Sequence, residues 1–148
     1  MNRRLFLISS LVILSAVSGC TKVKNFNASA PSVNIVLNLH NKERLDRGLQ
    51  FLQLNDQLNR AAQKYAEQMA LTGDFQHGNV GRRVGDGWSM YGENIAMGQT
   101  SNEEVMDDWM HSRGHRINIL DNGYEYIGIG IAKSKNGTIY WVVDFGSK

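Results

Sequence analysis

The strongest constraint lies near the C-terminus, where Tyr126-Ile-Gly-Ile-Gly-Ile-Ala132 and Thr138-Ile-Tyr-Trp-Val-Val-Asp-Phe145 flank Lys135-Asn136-Gly137. Side chains branched at Cβ and aromatic ones favour pleated, half-buried chain. Asn-Gly supplies the positive φ that a tight turn needs, so the stretch predicts an antiparallel hairpin. A hairpin alone is marginal in water and must be covered. The covering elements come earlier in the chain.

Three helices are expected. The first runs from Val33 to about Arg47, with Ser32 as N-cap, Val33, Val36, Leu37 and His40 on one face, and Gly48 as its stop. The second runs from about Asp56 to Leu71, where Leu58, Ala61, Ala62, Tyr65 and Met69 recur at helical spacing before Gly73. The third opens on a capping box, Ser101-Asn-Glu-Glu104, and carries Val105, Met106, Trp109 and Met110. Between the second and third, residues 75–98 are glycine-rich without a sustained period and read as a long irregular connection with short strand pieces. Helices first and a hairpin last predict an α+β domain, with a small antiparallel sheet covered by helices.

The N-terminus reads separately. Arg3 and Arg4 precede an apolar run from Leu5 to Val17, and the segment ends in Ser18-Gly19-Cys20. The run is shorter than the roughly 20 residues a spanning helix needs, and its small-residue exit predicts a signal peptide over 1–19. Leu14-Ser-Ala-Val-Ser-Gly-Cys20 resembles a lipobox, which makes Cys20, the only cysteine, the expected lipidation site. Residues 20–32 read as the lipidated cysteine and a polar tether, and 33–148 as one domain. Two or more acyl chains would hold such a protein stably on a membrane. Thr21 after the cysteine favours the outer membrane where the organism has one.

Charge narrows the partners. The 16 basic side chains exceed the 14 acidic ones only through Arg3 and Arg4, so without residues 1–19 the chain is balanced. No basic footprint for nucleic acid remains, and none is expected as a ligand. With Cys20 committed to lipid there is no disulfide, and stability must come from packing.

Two of four histidines sit in glycine-flanked, irregular segments: His77 in Gln76-His77-Gly78 and His115 in Gly114-His115-Arg116. Glu93 lies between them in Tyr91-Gly92-Glu93-Asn94-Ile95. Two imidazoles and a carboxylate could hold Zn²⁺ with one position open, relay a proton, or simply pin loops through hydrogen bonds. Spacing alone does not choose, because no H-E-x-x-H turn forces convergence. His40, on an apolar helical face, is expected in the core, and His111 outward at a helix C-terminus. Trp88, Tyr91, Trp109 and Trp141 read as core aromatics, with a ligand-lining role as the alternative.

A family resemblance now joins these pieces. Asn41-Lys-Glu-Arg44, Leu58-Asn-Arg-Ala-Ala62, His77, Gly92-Glu93-Asn94-Ile95-Ala96, Trp109-Met-His-Ser-Arg-Gly-His-Arg-Ile-Asn-Ile-Leu120 and Ile127-Gly-Ile-Gly130 resemble, in order, the blocks of a bacterial CAP (SCP-like) domain. The resemblance implies an α-β-α sandwich with a central cleft, and makes His77, Glu93 and His115 its candidate catalytic or metal residues. Eukaryotic relatives carry a further glutamate three residues after the tryptophan of the third helix; here that position is Ser112. The expected function is a lipid-anchored, extracytoplasmic binding module in the bacterial envelope, whose cleft can hold a divalent metal such as Zn²⁺ and whose surface engages a lipid, a glycan or an envelope protein. The alternatives are a metal-assisted, peptidase-like hydrolase using the same cleft and a purely structural envelope protein. Neither G-x-S-x-G nor S-x-x-K occurs, and Gly114 is expected to interrupt the third helix and separate Ser112 from His115.

Overall fold

The computed structural model describes residues 29–148, so the expected signal segment and Cys20 lie outside the described residues. The elements in chain order are α1 (Val33–Leu45), β1 (Gln53–Leu54), α2 (Asp56–Thr72), α3 (Val80–Val84), β2 (Met90–Met97), α4 (Asn102–His111), α5 (Arg113–Leu120), β3 (Tyr126–Lys133) and β4 (Ile139–Ser147). No helix among the described residues is long and apolar enough to cross a membrane.

The hairpin of β3 and β4 forms as expected, with Lys133 opposite Ile139 and Gly137 at φ 92° in the turn. β2 pairs antiparallel with the far side of β4, and the sheet order is β1-β3-β4-β2. Two features depart from expectation. β1, two residues long, pairs parallel with Tyr126 and Ile127, which makes the sheet mixed rather than antiparallel throughout. The supposedly irregular stretch contains the eight-residue β2 and the short α3.

β4 is central and nearly all buried because helices cover both faces. On one face lies α2, whose small residues Ala62 and Ala66 face the sheet. Gly128 and Gly130 permit that approach: a Cβ on either would come within 2.1 Å of the Leu58 backbone or 2.2 Å of Ala62 O. Successive strand residues alternate faces, so Ile127 and Ile129 enter the opposite core with Val36, Val105, Trp109, Trp141 and Phe145. The Ile-Gly-Ile-Gly pattern thus serves two layers at once. Trp88, Trp109 and Trp141 are buried as expected, while Tyr91 is exposed.

Side chains close both sheet edges. Beyond β1, Asn59 Oδ1 accepts from Ile129 N at 2.9 Å and Gln63 Oε1 from Ile131 N at 3.0 Å. On β2 the alternate carbonyls of Tyr91, Glu93 and Ile95 accept from Tyr124 Oη (2.9 Å), Asn118 Nδ2 (3.0 Å) and Trp109 Nε1 (3.3 Å). Such capping removes the template that an open strand edge offers to another chain.

The caps largely follow the sequence. Asn55 Oδ1 accepts from Gln57 N and Leu58 N at the start of α2, and Gly73, at φ 76°, ends it. Ser101 Oγ accepts from Glu104 N at 3.1 Å, while the Glu104 carboxylate turns to Thr100 N rather than to Ser101. Ser32 occupies the N-cap of α1 without a side-chain bond; its N–H donates to Asn102 Oδ1. The helix expected to stop near Gly114 breaks two residues earlier. Ser112, with ψ 121°, ends α4 and begins α5, and Gly114 lies inside the new helix.

Candidate functional site at the edge of β2

The site forms where two consecutive residues of β2 point to opposite faces. Glu93 lies on the α2 face, opposite Asp144, and Asn94 on the other, opposite Val143. His77 arrives from the loop after α2 and His115 from α5. Their ring centroids stand 6.4 Å apart with planes tilted by 40°.

Glu93 organises the first side. Its side chain is 5% exposed, and Oε1 accepts from His77 Nδ1 at 2.8 Å and from Gly78 N at 2.9 Å. Oε2 accepts from Arg83 Nη2 at 2.7 Å, and the same nitrogen donates to Asp144 Oδ1 at 2.5 Å. The Arg83 guanidinium stacks 4.1 Å over the Tyr65 ring, and Tyr65 Oη donates to Gln76 O at 2.8 Å. A side chain at Gly78 would collide with Arg83 and Tyr65, so only glycine lets the His77 loop lie this close.

The arrangement leaves His77 with Nδ1 engaged and Nε2 free, its side chain 60% exposed. A carboxylate bonded to Nδ1 fixes the orientation of the ring, the role such partners play behind metal-ligating histidines. His115 is half-buried. Burial, with the nearby His77 adding to it, lowers its pKa from the ordinary histidine value and favours the neutral ring that metal ligation requires.

All three expected residues therefore meet, yet not as three converging ligands. Both Glu93 oxygens are occupied by donors, and among the described residues no group of three or more His, Cys, Asp or Glu side chains is arranged to hold a metal ion. The side chains left available to a cation would be the two imidazoles, with Glu93 behind His77. Ser112 N donates to Asp108 O, and the helix break at Ser112 lets α5, which carries His115, pack against β2.

Reading the sequence missed Arg83, Asn94, Asn118 and Asp144. Asp144 carried a signal, a lone acid in the apolar run Val142-Val143-Asp144-Phe145. It is fully buried, and burial pushes its carboxyl up to about 7, an effect opposed by the charge of Arg83 and reinforced by that of Glu93. The other two histidines lie away from the site. His40 is fully buried, donating through Nδ1 to Val36 O at 2.8 Å and packing edge-on to Trp109. His111 is exposed and donates to Asp107 O at the end of α4.

Comparison with known proteins decides the family. The family model described as CAP, the Cysteine-rich secretory protein family, matches residues 37–145. The chain belongs to this family. Outside the family model, the CAP chain is 35% identical over 137 residues to the uncharacterized protein YkwD of Bacillus subtilis (strain 168), covering 84% of this chain and 52% of that one. The chain thus spans about half the length of this curated relative. Among solved structures, an outer surface protein from Borrelia burgdorferi superposes with a TM-score of 0.75 at 19% identity, covering 82% of this chain and 98% of that one. The crystal structure of NaASP2 with Zn²⁺ superposes with a TM-score of 0.63 at 14% identity over 82% of each chain. These similarities establish the CAP fold.

Proposed function

We propose that this CAP domain is a binding module of the bacterial envelope, tied to the membrane by lipid on Cys20 and taking a divalent cation such as Zn²⁺ between His77 and His115. One observation carries the reading of the site. Glu93 holds His77 through Nδ1, which leaves the other ring nitrogen available, and a second, half-buried imidazole stands 6.4 Å away between ring centroids. The Zn²⁺ in the NaASP2 crystal structure and the surface location in the name of the Borrelia burgdorferi protein support the cation and the address. A bound Zn²⁺ would add a Lewis-acidic centre with positions open to a ligand oxygen.

Binding is favoured over hydrolysis by the state of Glu93. The Glu93 carboxylate already accepts from Arg83, His77 and Gly78 N–H, which commits three of its roughly four lone-pair sites to holding the His77 loop rather than to activating water. The ligand class stays broad: a lipid headgroup, a glycan or an envelope protein offers oxygen donors to such a centre.

Titrating Zn²⁺ against thermal unfolding of the full chain tests the site. At 100 times its Kd a ligand adds about 2.7 kcal/mol of stability. The rise is expected in the native chain and absent in both His77→Ala and His115→Ala; no rise in the native chain ends the metal reading. The anchor is tested independently by feeding expressing cells a clickable fatty acid. Label and membrane association are expected in the native chain and lost in Cys20→Ser, and label surviving that substitution overturns the anchor.

A further inference from the structure

The two histidines belong to different layers of the sandwich, so something must fix their spacing across the sheet edge. On the α2 side Glu93 does this directly. On the other side, among the described residues, no side chain holds the His115 ring as Glu93 holds His77, and His115 is held through its backbone. Asn94, 0% exposed, donates from Nδ2 to His115 O at 3.0 Å. Its Oδ1 accepts at 2.9 Å from Asn118 Nδ2, which also donates to Glu93 O at 3.0 Å. Asn118 and His115 lie one turn apart on α5, so the two amides clamp that turn to two consecutive residues of the strand.

We propose that Asn94 is a positioning residue of the His77–His115 site, holding α5 against β2 so that the spacing of the two imidazoles is set by the single step from Glu93 to Asn94. The pleat supplies the physical reason. Adjacent strand side chains point to opposite faces, so one residue holds the loop bearing His77 and the next holds the helix bearing His115. A buried carboxamide suits this task because it both donates to a carbonyl and accepts from a neighbouring amide; aspartate or leucine at this position would leave His115 O or Asn118 Nδ2 without its partner.

The proposal rests on the reading that both imidazoles serve one ligand, and the experiment separates the two. The full chain, purified in detergent, is loaded with one equivalent of Cu²⁺, and pulsed electron paramagnetic resonance counts the coordinated imidazoles. Two are expected in the native chain and one in Asn94→Ser, with Cu²⁺ affinity at least tenfold weaker. In parallel, without metal, the nuclear Overhauser cross-peak between the ring protons of His77 and His115 is expected in the native chain and lost in Asn94→Ser, while sheet amide resonances stay in place. Should Asn94→Ser fail to fold, Asn118→Ala, at a half-buried position, removes the second clamp and is expected to weaken both signals. A native cross-peak that disappears in the variant, with no two-imidazole copper signal in either protein, keeps the positioning role and removes the metal reading. A folded Asn94→Ser that retains the cross-peak and the two-imidazole signal overturns the proposal.

Discussion

Replacing Arg83 by Met is expected to destabilise the protein by about 3–5 kcal/mol, the cost of removing one partner from a buried ionic cluster. The side chains of Arg83, Glu93 and Asp144 are 16%, 5% and 0% exposed, and one guanidinium nitrogen serves both carboxylates. Glu93 and Asp144 sit opposite each other on paired strands. Without the cation, two acids face one another in a site that water reaches poorly, and one of them must take up a proton. The effect should reach the candidate site, because Glu93 holds His77 and Arg83 packs against Gly78. Urea denaturation gives the loss in stability. Combining Arg83→Met with Asp144→Asn should recover part of it, since that pair leaves one buried charge instead of two. A loss below about 1 kcal/mol for Arg83→Met would mean that the cluster is solvated like a surface pair.

The second large effect concerns pH, where two buried groups act with opposite signs. Asp144 has its folded pKa raised from 3.8 to about 7, chiefly by burial. Between those values the folded state holds a proton that the unfolded state has released, so this contribution is full below pH 3.8 and is lost as pH rises through about 7. His40 has its folded pKa lowered from 6.5 to about 4, again chiefly by burial, with the Arg44 charge in the same direction and the bond to Val36 O against it. Here the unfolded state binds the extra proton. This contribution is full above pH 6.5 and is lost as pH falls through about 4. Each group can contribute up to about 1.4 kcal/mol per pH unit within its window.

Over pH 4–6.5 the two slopes oppose each other, and the native protein is expected to show a nearly flat stability profile. Single substitutions should uncover each slope. Asp144→Asn leaves His40, so stability should fall on acidification below pH 6.5. His40→Phe leaves Asp144, so stability should fall as pH rises from 4 to 7. Denaturation midpoints in buffers across pH 4–8 check both. If both variants keep the native profile, neither group titrates in the folded protein as its burial dictates.

How far the sequence could carry the fold depended on the range over which each signal acts. α1, α2 and α4 were legible because apolar period, N-cap and stop all lie within one helix, as with Asn55 and Gly73 around α2. The β3–β4 hairpin was legible because Asn136-Gly137 sets a local turn. β1 was not, since two residues carry no period and its partners Tyr126 and Ile127 are more than 70 positions away. β2 was obscured by Gly92 and by the neighbouring polar residues Glu93 and Asn94, which interrupt the alternation of a half-buried strand. α5 was hidden because Gly114, read as an interruption, is tolerated within the helix, and the true break at Ser112 depends on α4 and α5 packing against each other.

By itself the sequence determined three of the helices, the hairpin, and the three residue types from which a cleft could be built, because each is written in local spacing or in a motif block. Only the tertiary structure decided what those three residues do together. It turned Glu93 from an expected ligand into the acceptor that orients His77, by bringing Arg83 and Gly78 N–H to the same carboxylate. It also brought into play Asp144, from the legible strand β4, and Asn94, from the obscured strand β2. Those outcomes follow from strand register and layer packing, and register is settled only when distant segments meet.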